Sequence, residues 1–167
     1  MPLTSTVNFS INGIQSNALD LGTAALPFSL SSNFSLTSGT ASGQADRVFT
    51  DTRTLGASAT EDLDLAGVLL DAFGAAITFV KVKGIFIKAA AANTNNVNVS
   101  RPAGATGVPL FLAISDGFFL PPGFTFAWFG PGTGVTVTPS TGDLITLTNS
   151  AGGTGVTYDV VIIGTSA

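Results

Sequence analysis

Apolar and polar residues alternate along most of this chain, and a period of two is the mark of a half-buried β-strand. Val7-Asn8-Phe9-Ser10-Ile11 puts its apolar side chains on one face. Phe28-Ser29-Leu30 and Phe34-Ser35-Leu36 do the same on either side of Ser31-Ser32-Asn33. The clearest run is Phe79-Val80-Lys81-Val82-Lys83-Gly84-Ile85-Phe86-Ile87-Lys88. Val97-Asn98-Val99, Leu110-Phe111-Leu112-Ala113-Ile114, Phe124-Thr125-Phe126 and Val135-Thr136-Val137-Thr138 follow, and the runs 144–148 and 156–163 close the series. β-Branched and aromatic residues dominate them, as a pleated surface prefers. Only Leu65 to Phe73 suits a helix, and a short one.

Turn formers separate the runs. Ser38 to Gly43 reads as a flexible connection, Asn93-Thr94-Asn95-Asn96 tolerates left-handed backbone, and Pro121-Pro122-Gly123, Gly130-Pro131-Gly132 and Ser140-Thr141-Gly142-Asp143 break strands. Gly-Thr-Gly-Val-Thr occurs at both 132–136 and 153–157 and reads each time as a glycine turn feeding a strand. Many short strands at close spacing predict an all-β sandwich or barrel. An open sheet would leave unpaired edges that recruit other chains, so a chain with few charges to guard them should double or close its sheet. The expectation is a single domain over 1–167, a jelly-roll-like antiparallel β-sandwich. Residues 1–12 are a candidate N-terminal arm or swapped strand that adds to a neighbour.

Charged residues make up only 10% of the 167 and the net charge is -4; soluble proteins average about 25% charged residues. Such a surface suits contact with other protein. There is no histidine and no cysteine, which removes the commonest general base near neutral pH, disulfides and thiolate metal sites. Nucleic acid is not expected as a partner, because only Lys81, Lys83, Lys88, Arg47, Arg53 and Arg101 could displace counterions. The three lysines read instead as the solvated face of one strand. No membrane span is expected, since the apolar stretch Leu65–Val80 is broken by Asp71 and Gly74. Met1-Pro2-Leu3-Thr4-Ser5 lacks the regions of a signal peptide, so synthesis in the cytoplasm is expected.

Glu61-Asp62-Leu63-Asp64 is the one acidic cluster. Alternation puts Asp62 and Asp64 on one face, where they are weak candidates for a hard cation or for a carboxylate-based glycan hydrolase. A polar strand face is the simpler reading. No nucleophile elbow, phosphate loop or dinucleotide fingerprint occurs, and no Ser or Thr has an evident activating base. The chain is therefore expected to be no enzyme and to need no cofactor. Gly117 to Phe129 carries the densest aromatics. Phe118 and Phe119 must point to opposite faces if extended, which makes Phe118, Phe119, Pro121, Pro122 and Trp128 candidates for an intersubunit contact.

Thr54-Leu55-Gly56-Ala57-Ser58-Ala59-Thr60-Glu61-Asp62-Leu63-Asp64-Leu65-Ala66-Gly67 leads into Val68-Leu69-Leu70-Asp71-Ala72-Phe73-Gly74, followed by Phe79, Lys81, Val82, Lys83, Ile85 and Ile87. With the ending Thr157-Tyr158-Asp159-Val160-Val161-Ile162-Ile163-Gly164, this resembles small virion structural proteins of tailed bacteriophages. The matched stretches cover under a third of the chain and do not reach the residues before 45. The resemblance implies a β-sandwich subunit of the capsid decoration (cement) kind. Such a subunit is often a trimer that clamps the major capsid protein of neighbouring capsomers, on the surface of a virion made in the bacterial cytoplasm. It implies no catalytic residues; Leu63, Leu65, Phe73 and Phe79 would be core, and Asp64, Gly67, Asp71 and Gly74 loop geometry. The alternative within the virion is a tail, baseplate or spike component that recognises carbohydrate.

Overall fold

In the computed structural model, which describes residues 2–104 and 106–167, alternation becomes strand in two different settings. The first is a long ribbon. β1 (Ser5–Leu19) and β2 (Gly22–Ser38) pair antiparallel rung by rung, from Ser5↔Leu36 to Leu19↔Gly22, about the turn at Asp20 and Leu21. Ser31-Ser32-Asn33 does not interrupt β2. Phe28, Leu30, Ser32, Phe34 and Leu36 keep one parity, so they share a face and the strand runs through. The arm thus needs both strands and reaches Ser38, well past the first twelve residues. β3 (Gln44–Ala45) pairs parallel with the end of β2.

The second setting is a β-sandwich made from β4 (Arg47–Leu55), β5 (Thr60–Asp64), β8 (Lys81–Ala89), β9 (Val97–Ser100), β10 (Gly117–Leu120), β11 (Thr125–Phe129), β13 (Leu144–Asn149) and β14 (Val156–Thr165). Between them lie the small hairpin of β6 (Ala66–Leu70) with β7 (Ala76–Thr78), and β12 (Val135–Thr136) beside β8. One sheet has the order β11-β8-β14-β4 and the other β10-β9-β13-β5, all antiparallel. Their inner faces interlock: Ile85, Ile87, Val160 and Ile162 from one meet Leu63, Val97, Val99 and Leu147 from the other.

β14 explains its own unbroken run Val160-Val161-Ile162-Ile163. Val160 and Ile162 face the sandwich core, while Val161 and Ile163 join a second cluster with Leu36, Ala45, Phe34, Val48 and Phe129 on the outside of that sheet. A strand covered on both faces loses its alternation. The cover is the root of the arm, where Phe9 also lies against Phe129 with ring centroids 6.1 Å apart.

β8 carries a bulge. Gly84 is opposite Ile163 and Phe129, Val82 is opposite Gly164 and Val135, and Lys83 between them has no rung. The extra residue lets Val82 and Ile85, of opposite parity, both face the core. It also buries Lys83, contrary to the expectation of a solvated face, and its Nζ donates to Ala41 O at 2.6 Å in the loop behind the arm. Desolvation holds this amine below the ordinary lysine pKa. Gly84 is required here because the Phe129 ring occupies the place of a Cβ.

Three local expectations change. Leu65–Phe73 is not a helix but β6 and a turn. Gly67 adopts φ +121°, and the Asp71 carboxylate accepts from Phe73 N and Ala75 N at 2.9 Å each. Phe73 therefore sits at an exposed tip and not in the core, whereas Leu63, Leu65 and Phe79 are buried. Leu110–Ile114 is turn and bend and not strand. Ala113 N donates to Asp116 Oδ2, Ser115 N donates to Arg101 O, and Ser115 is left-handed at φ +65°. Asn93 and Asn95 work through their side chains instead of a left-handed backbone. Asn93 exchanges two 2.8 Å bonds with Thr157, and Asn95 donates to Asn149 Oδ1 at 3.0 Å. Both Gly-Thr-Gly-Val-Thr segments do feed strands, with Gly134 and Gly153 at positive φ.

Candidate functional site

The acidic segment lies on β5, whose pleat divides it. Leu63 faces inward, and Asp62 and Asp64 face outward as alternation predicts. Each outward carboxylate has a local partner: Asp62 Oδ1 accepts from Thr146 Oγ1 at 2.5 Å, and Asp64 Oδ1 accepts from Ala66 N at 2.8 Å. No group of three or more metal-ligating side chains occurs among the described residues.

Glu61, with the opposite parity, points between the sheets and joins a partly buried ionic network. Arg53 Nε and Nη2 donate to Glu61 Oε2 at 2.7 and 2.5 Å, and Tyr158 OH donates to Glu61 Oε1 at 2.6 Å. Arg53 also reaches Asp51 at 3.0 Å. Burial first, then the bond to Glu61, pushes the Tyr158 phenol far above the ordinary tyrosine range, while the bond to Glu61 raises Arg53 further. With both carboxylate oxygens engaged and a phenol that keeps its proton, the trio clasps β4, β14 and β5 together. Its signal in the sequence was parity: Glu61 matches Leu63, and Tyr158 matches Val156 and Val160, all core positions.

The aromatic segment divides as expected. Phe118 turns inward, its ring 4.4 Å from Phe126 and 5.8 Å from Phe111, and Phe119 is 62% exposed on the other face. Pro121 and Pro122 are half-buried. Trp128 turns toward Ile85 and, with Phe111, Phe118 and Phe126, lines an apolar cavity of about 40 Å³ at one end of the sandwich. Exposed apolar side chains also mark the neighbouring loops, at Leu112, Ile114 and Phe124. At the β6–β7 tip, Phe73 overhangs a cleft of about 440 Å³ whose other walls include Leu3, Arg47, Val48 and Ile77.

The arm is where apolar exposure is most concentrated. Ile11 is paired with Leu30, Gly13 with Phe28 and Gln15 with Leu26, so Ile11, Leu30, Phe28 and Leu26 share a face. They are 62, 69, 53 and 67% exposed. Phe28 lies across Gly13, where a Cβ would meet its ring. On the reverse face Ser29 Oγ donates to Asn12 Oδ1 at 2.6 Å and Asn12 Nδ2 to Ser10 Oγ at 2.7 Å; its apolar residues are Ile14 and Pro27 and, toward the tip, the small Ala18 and Ala25. Asp20 is the only charge from Ser5 to Ser38. The sequence named Ile11, Phe28 and Leu30 as strand residues but not as a surface, because alternation specifies a face without saying whether anything covers it.

No protein-family model matches this chain, and no curated protein matches it in sequence.

Proposed function

We propose that this protein is a non-enzymatic structural subunit of a tailed-bacteriophage virion, a capsid decoration (cement) protein that binds the major capsid protein on the outside of the shell. The observation that carries this reading is the distribution of exposed apolar side chains. They lie in separate places: along the arm, at the Phe73 tip, and around Leu112, Phe119 and Phe124. A subunit that buries such patches against different neighbours links them, and each engaged patch raises the effective concentration of the next. Burial of weakly charged surface across capsomer junctions would then stiffen the shell. The resemblance of residues 54–90 and 157–164 to small phage virion proteins supports the same reading. So does the strand order: two antiparallel sheets of four and five strands, with the chain passing repeatedly between them, suit a jelly roll. The engaged carboxylates of Asp62, Asp64 and Glu61 favour structure over hydrolysis.

Electron cryo-microscopy of the particle tests it. Density for this subunit repeated over the whole shell is the expected result, and density confined to the tail would overturn it. A mixing experiment checks the partner: the purified protein should co-sediment with shells that lack it.

A further inference from the structure

The arm leaves the body as a two-stranded ribbon, and such a ribbon is at best marginally stable in water unless another layer covers its apolar face. From Ser10↔Ser31 to Leu19↔Gly22 it has ten rungs, roughly 34 Å of ribbon at about 3.4 Å per residue. Nearly every residue on this stretch is exposed, so the chain's own body does not supply the layer. The missing layer has to be flat, apolar, uncharged and of similar length.

The outer faces of the sandwich do not fit that description. One presents Asp62, Asp64, Asn98, Thr146 and Thr148 with Phe119 as its one large apolar side chain at the β10 edge, and the other presents Thr52, Thr54, Lys88, Thr157 and Asp159 wherever the arm root does not already cover it. The matching surface among the described residues is the arm face itself. Two such faces carry no charge to repel, Asp20 being at the tip. Apolar sheet faces pack about 10 Å apart with their side chains interleaved. At the root, moreover, the same face is already packed this way against β14 through Leu36 and Phe34. A second copy would continue that packing outward.

We infer that the apolar arm face, centred on Ile11, Leu26, Phe28 and Leu30, is the self-association surface of this protein, packed face to face against the arm of a second copy. This rests on the ribbon geometry and stands whether or not the protein decorates a shell.

Light scattering on the full chain is the first test. The native protein should have a mass that is a multiple of 16.8 kDa. Leu26→Glu with Leu30→Glu should reduce it to the single-chain value, and Ser29→Glu with Ser31→Glu, on the reverse face, should leave the multiple intact. Circular dichroism and Trp128 emission check that the sandwich remains folded in each. Cross-linking gives an answer that does not depend on the glutamate variants. The chain has no cysteine, so under mild oxidation Leu30→Cys should form a disulfide-linked pair and Ser31→Cys should not. A native protein that stays single-chain at high concentration overturns the inference, including one that binds only to shells. Retention of the multiple by the Leu26/Leu30 variant, or equal cross-linking from positions 30 and 31, overturns it as well.

Discussion

The arm and the sandwich use the same alternating code and even the same local device, yet they differ in what covers them. In β8, Gly84 lies under the ring of its cross-strand partner Phe129, and that ring is packed into the cluster of Leu36, Ala45 and Ile163. In β1, Gly13 lies under the ring of its cross-strand partner Phe28, and that ring is 53% exposed. An aromatic laid over a glycine restores the side-chain contact the glycine lacks. In the body the second layer is present and the pair contributes to a core. In the arm the pair waits for a layer from outside the chain.

The widest separation between the two regions should come from alkaline titration. The Tyr158 phenol is raised in the folded chain, whereas in the unfolded chain it ionises near pH 10. The unfolded state therefore loses its proton first. The stability this group confers is complete below about pH 10 and falls as pH climbs beyond it. As Tyr158 is the only tyrosine, phenolate absorbance should appear together with loss of the β-sheet circular dichroism and not before. Tyr158→Phe should move the unfolding midpoint to higher pH. Phenolate absorbance that rises while the sheet signal persists would show that the clasp is open to solvent.

Truncation gives the next contrast. Phe79→Ala, at a fully buried position, should cost ~3–5 kcal/mol in urea unfolding. Phe28→Ala should leave unfolding of the sandwich within ~0.5 kcal/mol of native, measured at a concentration where the protein is a single chain. Equal losses would mean that arm and body share one core.

The ionic clasp comes next. Glu61→Gln keeps an acceptor for Tyr158 but leaves Arg53 with Asp51 alone, and should cost ~2 kcal/mol, the scale of a hydrogen bond to a charged group. Its effect should weaken moderately with salt, because Glu61 is mostly buried while Arg53 is a third exposed. The smallest contrast is between the two glycines. Gly84→Ala forces the packed Phe129 aside and should cost roughly 1–2 kcal/mol. Gly13→Ala displaces a ring that can swing into solvent and should cost at most ~0.5 kcal/mol in the single-chain state. If the two variants were equally harmful, the arm would be covered within its own chain.

Much of the sandwich was legible because one strand face is core and the other is solvent. Leu144 to Thr148 and Val97 to Val99 show their period without help. Where several layers or local side-chain bonds intervene, the pattern misleads. Val161 and Ile163 look like part of one buried run because the arm root covers their face. Leu110 to Ile114 looks like a strand until Asp116 takes the backbone of Ala113 into a turn. The acidic cluster was visible, but its meaning was not. Asp62 and Asp64 were named for chemistry, while Glu61 makes the interior contact, because only sheet-on-sheet packing brings Arg53 and Tyr158 to it.

By itself the amino-acid pattern determined the all-β class, the parity of the strands without a bulge and the scarcity of charge. These are properties of adjacent residues, and the backbone pleat turns them directly into faces. Tertiary structure alone decided which faces are covered. Lys83 is buried because a bulge shifts the register by one residue, Phe73 is exposed because Asp71 closes a turn beneath it, and Ile11, Phe28 and Leu30 are bare because β1 and β2 pair with each other and outrun the body. Burial depends on which surfaces meet across long stretches of chain, and alternation carries no record of that.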